Sequence, residues 1–191
     1  MSAKKPFTMA ELEWQPWIEP VVLAQATAEQ LDSLKVTVSN TAVGAYSLVL
    51  AHDPQTLSHR TPLYNGIMYG PRGLPRADRE LGALATSTVN GCVYCASVHA
   101  RRLGELTKDP ALPQGVLDNG DADLDERRRA VFAYSVKLSR CPPEATRSDI
   151  ERLRAVGLSD GDILDLTNAV AMFAWANRLM QTLGEADGEA G

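Results

Sequence analysis

Apolar residues recur at helical spacing in successive segments of this 191-residue chain, with proline or glycine between the segments. The clearest stripe follows Pro75 and consists of Leu81, Leu84, Ala85 and Val89. Residues three and four apart lie on one face of an α-helix, whereas a half-buried strand alternates apolar and polar side chains. No convincing alternation and no internal repeat occurs, so the pattern predicts an all-α fold.

The same spacing places the remaining helices. They are predicted over 28–51, from Asp53-Pro54, from Cys92 toward Leu106, over 123–140, over 146–156 and from Ser159 to 183. Ser159 is expected to cap the last helix together with Asp162. Asn90 is expected to cap the helix at Cys92, with Gly91 supplying the unusual backbone angles of the junction. Residues 107–122, rich in proline, glycine and aspartate, are predicted to form a long surface loop.

The length fits one domain with two peripheral segments. Residues 1–27 contain three prolines and the pair Trp14 and Trp17, and we predict an irregular N-terminal arm there. Residues 28–184 are predicted to form the helical domain, and 185–191 a flexible tail.

Composition excludes several classes of partner. Hydrophobic residues make up 45% and charged residues 23%, which is typical of a soluble globular protein. The net charge of −5 argues against nucleic acid, which requires a basic face. No stretch approaches the roughly 20 apolar residues of a membrane span, and no apolar core follows Lys4 and Lys5. We therefore expect no nucleic-acid or membrane partner, and a cytoplasmic location.

The chemistry concentrates at Cys92-Val93-Tyr94-Cys95, which lies at a predicted helix start. The unpaired N–H groups and the dipole of that end favour a thiolate, the form that attacks peroxides and disulfides. His99 follows Cys95 by four residues and hence lies on the same helical face, where it could accept the thiol proton. Glu80, on the preceding helix, could orient a histidine or relay the proton.

Other assignments of these residue types are less well supported. A zinc site would need a second pair of ligands, and only His99 and the distant Cys141 could supply it, so we predict no metal. Cys141, before two prolines, is expected to be a structural or incidental thiol. Tyr94 could donate a hydrogen bond in the site or pack as an aromatic side chain. Phe173 and Trp175 are expected in the core.

The motif resembles the active site of the alkylhydroperoxidase AhpD-like family, which shares its fold with the carboxymuconolactone decarboxylases. It consists of Glu80, eleven intervening residues, Cys92, two more, Cys95, three more and His99. The resemblance to the family's peroxidase-related branch covers roughly residues 30–183. The surrounding residues that extend it are Arg79-Glu80, Asn90-Gly91, Gly157-Leu158-Ser159-Asp160 and Asn177-Arg178.

The resemblance implies an AhpD-like helical bundle that forms a homo-oligomer, whether dimer, trimer or hexamer. It also implies a peroxidase in which Cys95 attacks the hydroperoxide and Cys92 resolves the sulfenic acid as a disulfide. His99 and Glu80 would relay protons, an external dithiol would reduce the disulfide, and no bound cofactor would be needed. The family's best-known peroxidase has a histidine where this chain has Tyr94, which leaves activation to His99.

Two other functions stay open on the sequence. The Cys92–Cys95 pair could serve a non-enzymatic redox sensor or a disulfide-exchange protein, in which oxidation alters assembly or a partner. Alternatively, Glu80 and His99 could act as acid and base in a decarboxylase-like enzyme. The cysteines would then be incidental, and replacing Cys95 by serine would leave activity intact.

Overall fold

A computed structural model describes residues 6–34 and 43–187, and helices dominate them. The helices are α1 (Ala28–Ser33), α2 (Ala45–Leu50), α3 (Pro54–Tyr69), α4 (Arg76–Asn90), α5 (Val93–Thr107), α6 (Ala111–Asn119), α7 (Glu126–Ser139), α8 (Arg147–Ala155) and α9 (Asp160–Thr182). A 3-10 turn covers Leu23–Gln25, and the strands β1 (Glu13–Pro16) and β2 (Gly184–Asp187) form an antiparallel ribbon. The predicted all-α fold is confirmed, with this ribbon as its one addition in the described part.

Helix α4 lies at the centre of the domain and packs against α5, α7 and α9. Its buried residues Leu81, Leu84 and Ala85 join the apolar faces of those helices in the main core. A Cβ atom at Gly82 would lie only 2.8 Å from Cδ1 of Leu166, so the missing side chain lets α4 and α9 approach closely. Helix α4 carries Glu80, and its packing against α5 brings this residue next to the helix that carries Cys95 and His99.

Side-chain caps begin α3 and α9 where the sequence predicted helix starts. The Asp53 carboxylate accepts a hydrogen bond from the Thr56 backbone N–H at 3.0 Å, directly before α3. Ser159 and Asp162 form the reciprocal capping box of α9. Both predicted helix starts are confirmed. A cap of this kind can be predicted from the sequence because it depends only on residues a few positions apart.

The junction between α4 and α5 differs from the expectation in one respect. Gly91 adopts the left-handed conformation with φ 72°, as predicted. Asn90 does not cap α5, and that prediction is wrong. Cys92 occupies the N-cap position, while the Asn90 side-chain amide donates a hydrogen bond to Oδ1 of Asn177 on α9, at 3.0 Å. The left-handed turn directs Asn90 toward α9 instead of the start of α5.

The prediction of a continuous loop over 107–122 is wrong, because α6 forms within it. The Asp109 carboxylate accepts hydrogen bonds from the backbone N–H groups of Ala111 and Leu112, at 3.0 and 3.3 Å. Val116 is buried on the inner face of α6, which packs against α5. The predicted single helix over 28–51 appears as α1 and α2, and its β-branched residues 36–38 lie outside the described residues.

The N-terminal arm is bound to the end of α9. Trp14 is buried, and its indole N–H donates a 2.9 Å hydrogen bond to the carbonyl oxygen of Met180. Strand β1 pairs with β2, so residues 185–187, predicted to belong to a flexible tail, lie in a strand. The sequence concealed this strand because its partner lies at the other end of the chain. The division of the chain at residues 27 and 184 remains a prediction.

None of the helices within the described ranges is both long enough and apolar enough to cross a bilayer.

Candidate active site

Glu80 and His99 form a buried pair across two helices. His99 Nδ1 lies 2.7 Å from Oε2 of Glu80, and the two residues are only 4% and 2% exposed. The other carboxylate oxygen of Glu80 accepts two hydrogen bonds from Arg76, each 3.2 Å long. Burial by itself raises the pKa of Glu80, but the bonds and charges of His99 and Arg76 outweigh it and lower the pKa. Glu80 is therefore held as a carboxylate.

The imidazole of His99 is fixed on both sides. Its ring meets Phe173 edge to face, with 4.0 Å between centroids and 80° between planes. Because Nδ1 is committed to Glu80, Nε2 is the nitrogen left for chemistry. A histidine oriented by a carboxylate in this way is suited to accept and return a proton.

Cys92 and Cys95 lie at the start of α5 as free, buried thiols. Hydrogen bonding from the Cys95 side chain lowers the pKa of Cys92, with Asn177 acting in the same direction. The same bond to Cys92, together with burial, raises the pKa of Cys95. Cys92 is therefore the more acidic thiol of the pair, and Cys95 the less acidic one.

Asn177 connects the cysteines to the surrounding helices. It is fully buried on α9, and its amide N–H₂ donates to the Ser87 hydroxyl at 3.2 Å, while its Oδ1 accepts from Asn90 at 3.0 Å. Hydrogen bonding from this amide lowers the pKa of Cys92 and acts in the same direction on Cys95. A buried amide with partners on both sides is an anchored donor beside the sulfurs.

The two cysteines border different cavities. The first, of about 230 Å³, contains Cys95 together with His99 and Glu80. We call it the relay cavity. The second, of about 590 Å³, contains Cys92 and is lined by the arm residues Phe7, Trp14 and Trp17. We call it the arm cavity. Tyr94 lies between the cysteines in sequence and lines both cavities, as does Met180.

The structure brings all four predicted site residues to one region. Cys95 lines the relay cavity together with Glu80 and His99, whereas Cys92 lines the arm cavity. Cys141 is exposed beyond the end of α7 and lines neither of these cavities. Within residues 6–34 and 43–187, no group of three or more His, Cys, Asp or Glu side chains is placed to hold a metal ion.

Comparison with known proteins identifies the relatives of this arrangement. The family model described as the carboxymuconolactone decarboxylase family matches residues 54–111, a segment that includes all four predicted site residues. The alkyl hydroperoxide reductase AhpD of Rhodococcus erythropolis is 27% identical over 128 residues, covering 60% of this chain and 72% of that protein.

Two solved structures cover more of the fold. A peroxidase-related protein from Silicibacter sp. TM1040 is 30% identical over 74% of this chain and 76% of its own, with a TM-score of 0.66. The chain belongs to the AhpD-like / carboxymuconolactone decarboxylase superfamily. A second peroxidase-related protein, the AhpD core from Ralstonia eutropha JMP134, is 27% identical over 88% of this chain and 90% of its own, with a TM-score of 0.76.

Three residues of this AhpD-like site were not assigned to it from the sequence. Phe173 is buried in the core, as expected, and it also contacts the ring of His99 and lines the relay cavity. The same expectation for Trp175 is wrong, because its side chain is 38% exposed. Arg76 precedes Glu80 by four residues, a spacing at which opposite charges pair on a helix, so it could have been found. Asn177 was noted only as part of the resemblance, although an amide on an apolar helical face, four residues after Phe173, could have marked it as a site residue.

Proposed function

We propose that this protein is a thiol-dependent peroxidase that reduces organic hydroperoxides at Cys95. The observation that carries the proposal is the shared relay cavity, in which Cys95 lies with a histidine oriented by a buried carboxylate. The relative from Rhodococcus erythropolis, an alkyl hydroperoxide reductase, supports the same activity class. A cytoplasmic location, which we propose with it, would keep the thiols reduced between turnovers.

In the first step His99 Nε2 accepts the thiol proton of Cys95, while Nδ1 donates to the Glu80 carboxylate. The raised pKa of Cys95 makes this base necessary. The Cys95 thiolate then attacks the terminal peroxide oxygen, so that an S–O bond forms and the O–O bond breaks. The alkoxide leaving group takes the proton from His99, giving an alcohol and a sulfenic acid on Cys95.

In the second step the sulfur of Cys92 attacks the sulfur of Cys95. An S–S bond forms, and the hydroxyl of the sulfenic acid leaves with the Cys92 proton as water. The lowered pKa of Cys92 suits it to this attack. An external dithiol then reduces the disulfide to two thiols and becomes a disulfide itself, which balances the cycle.

The test is turnover of cumene hydroperoxide with dithiothreitol as reductant, in wild type and in Cys95→Ser, Cys92→Ser and Cys141→Ser. We expect turnover to be lost in the first two variants and kept in Cys141→Ser, because Cys141 is exposed away from the site. In Cys92→Ser, dimedone should label residue 95 as a sulfenic acid. Peroxide consumption that survives Cys95→Ser would refute the assignment.

A disulfide exchanger is the second candidate, favoured by the lowered pKa of Cys92 and by its position on the larger arm cavity. In that function the Cys92 thiolate would attack a substrate disulfide, and Cys95 would release the mixed disulfide. Cys95→Ser should then accumulate a mixed disulfide at Cys92 with an added disulfide such as oxidised glutathione, and wild type should show no hydroperoxide turnover.

A further inference from the structure

The relay cavity contains an arginine that forms no salt bridge with a carboxylate among the described residues. The Arg60 guanidinium carbon lies 4.5 Å from the centroid of the Tyr64 ring, and its buried Nε has no hydrogen-bond partner among residues 6–34 and 43–187. The two other arginines of the cavity are paired. Arg76 binds Glu80 at 3.2 Å, and Arg102 binds Glu105 at 2.8 Å.

A second unsatisfied donor faces the same cavity. The Tyr46 hydroxyl is buried and has no hydrogen-bond partner within the described part of the chain. Burial raises the pKa of Tyr46, so its hydroxyl keeps its proton and can donate it. The charges of Arg60, Cys95 and Cys92 all act on this hydroxyl, which therefore lies near both the arginine and the sulfurs. Buried donors without acceptors are uncommon in folded proteins, and a bound ligand or an ordered water can supply the acceptor.

Another part of the cavity wall is apolar. Phe173, Ala176 and Met180 form this apolar part, and the cavity volume of about 230 Å³ suits the hydrocarbon part of a small organic molecule. An oxyanion at this end of the cavity would accept hydrogen bonds from both Arg60 and Tyr46. Among oxyanions, a carboxylate suits a guanidinium well, because the guanidinium can bind both carboxylate oxygens.

We infer that the relay cavity accepts a carboxylate-bearing organic hydroperoxide, with its carboxylate on Arg60 and Tyr46 and its peroxide at Cys95. This inference rests on the proposed peroxidase function for the reaction, and on the cavity alone for the recognition of the anion. Arg60 would therefore determine substrate preference and take no part in proton transfer.

Binding can be tested without any reaction. The probes are 4-isopropylbenzoate and its methyl ester, titrated calorimetrically into the reduced protein. We expect the acid to bind at least about tenfold more tightly than the ester, because a charge-assisted hydrogen bond is lost on esterification. Arg60→Gln should abolish that difference and Arg60→Lys should keep part of it. Arg102→Gln is the matched control, since Arg102 is already paired with Glu105, and should retain it.

Turnover supplies the second measurement. The carboxylated hydroperoxide 4-(2-hydroperoxypropan-2-yl)benzoate is compared with its methyl ester, and the ratio of their kcat/KM values should fall about tenfold in Arg60→Gln. Equal binding of acid and ester by the wild type would overturn the inference, even if cumene hydroperoxide is turned over. Selective acid binding without any peroxide turnover would instead refute the proposed function and leave the anion site standing. Thermal unfolding of Arg60→Gln shows whether a lost preference reflects a lost fold.

Discussion

His99 Nδ1 lies 2.7 Å from Oε2 of Glu80, although the two residues are 19 positions apart and belong to different helices. The contact exists because α4 and α5 pack closely along their buried faces. It directs Nε2 of His99 away from Glu80 and helps to keep the buried carboxylate charged. The packing of α4 against α5 therefore orients the histidine that the proposed reaction requires.

The charge on Glu80 should make stability depend on pH. Because the folded pKa of Glu80 is lowered, its carboxylate stabilises the fold above the ordinary value of 4.5, and this contribution disappears as the pH falls through the folded value. Glu80→Gln lacks the contribution at every pH. Urea unfolding at neutral pH and at about pH 3 should show a smaller loss of stability on acidification for Glu80→Gln than for wild type. Equal losses would mean that Glu80 is not held ionised.

Asn177 should control the acidity of the cysteines. In Asn177→Leu the buried amide that lowers the pKa of Cys92 is gone, so the pKa of Cys92 should rise. Leaving Ser87 and Asn90 without this partner should also lower the free energy of unfolding by about 1–3 kcal/mol. The ultraviolet absorbance of the thiolate, followed against pH, measures the pKa change. Asn90→Ala, which leaves the Asn177 amide in place, should give a curve closer to that of wild type.

Gly184 should be required for binding of the N-terminal arm. A Cβ atom there would lie 2.4 Å from the Trp14 ring and from the Gln15 carbonyl oxygen. Gly184→Ala should therefore displace Trp14, lower the free energy of unfolding by about 1–3 kcal/mol and speed alkylation of Cys92 by N-ethylmaleimide, since Trp14 packs beside it.

The control for the arm is Gly66→Ala. A Cβ atom at Gly66 on α3 would meet nothing within 4 Å, so alanine should leave Cys92 unchanged and raise helix stability by up to about 1 kcal/mol. If Gly184→Ala matched this control in both alkylation rate and stability, the arm would not protect Cys92.

The exposed face of α3 and α9 is where we expect the proposed homo-oligomer to form. Leu63 and Trp175 are 58% and 38% exposed there, and they border a shared apolar hollow. Trp175→Glu should shift the protein toward monomer in sedimentation velocity, because a charge would be buried at the contact. Leu106→Glu changes an apolar residue of similar exposure, 42%, at the end of α5, and should leave the mass unchanged. A monomeric wild type would contradict the expectation.

Several features of this protein were determined by the sequence alone, and they share one physical property. The start of α3 at Asp53, the left-handed turn at Gly91 and the cap of α9 at Ser159 each depend on residues within a few positions of one another. The register of Cys95 with His99 is likewise a matter of helical periodicity. Such features depend on the local sequence and can therefore be predicted without the tertiary structure.

Only the tertiary structure decided how the helices combine their chemistry. The bond between Glu80 and His99, the burial of Asn177 beside the cysteines and the division of the cysteines between two cavities all require α4, α5 and α9 to pack at particular distances. The pairing of β1 with β2 joins residues about 170 positions apart. Spacing in one dimension cannot specify these contacts, because they depend on which apolar faces are buried against one another and on the few polar groups that are buried with them.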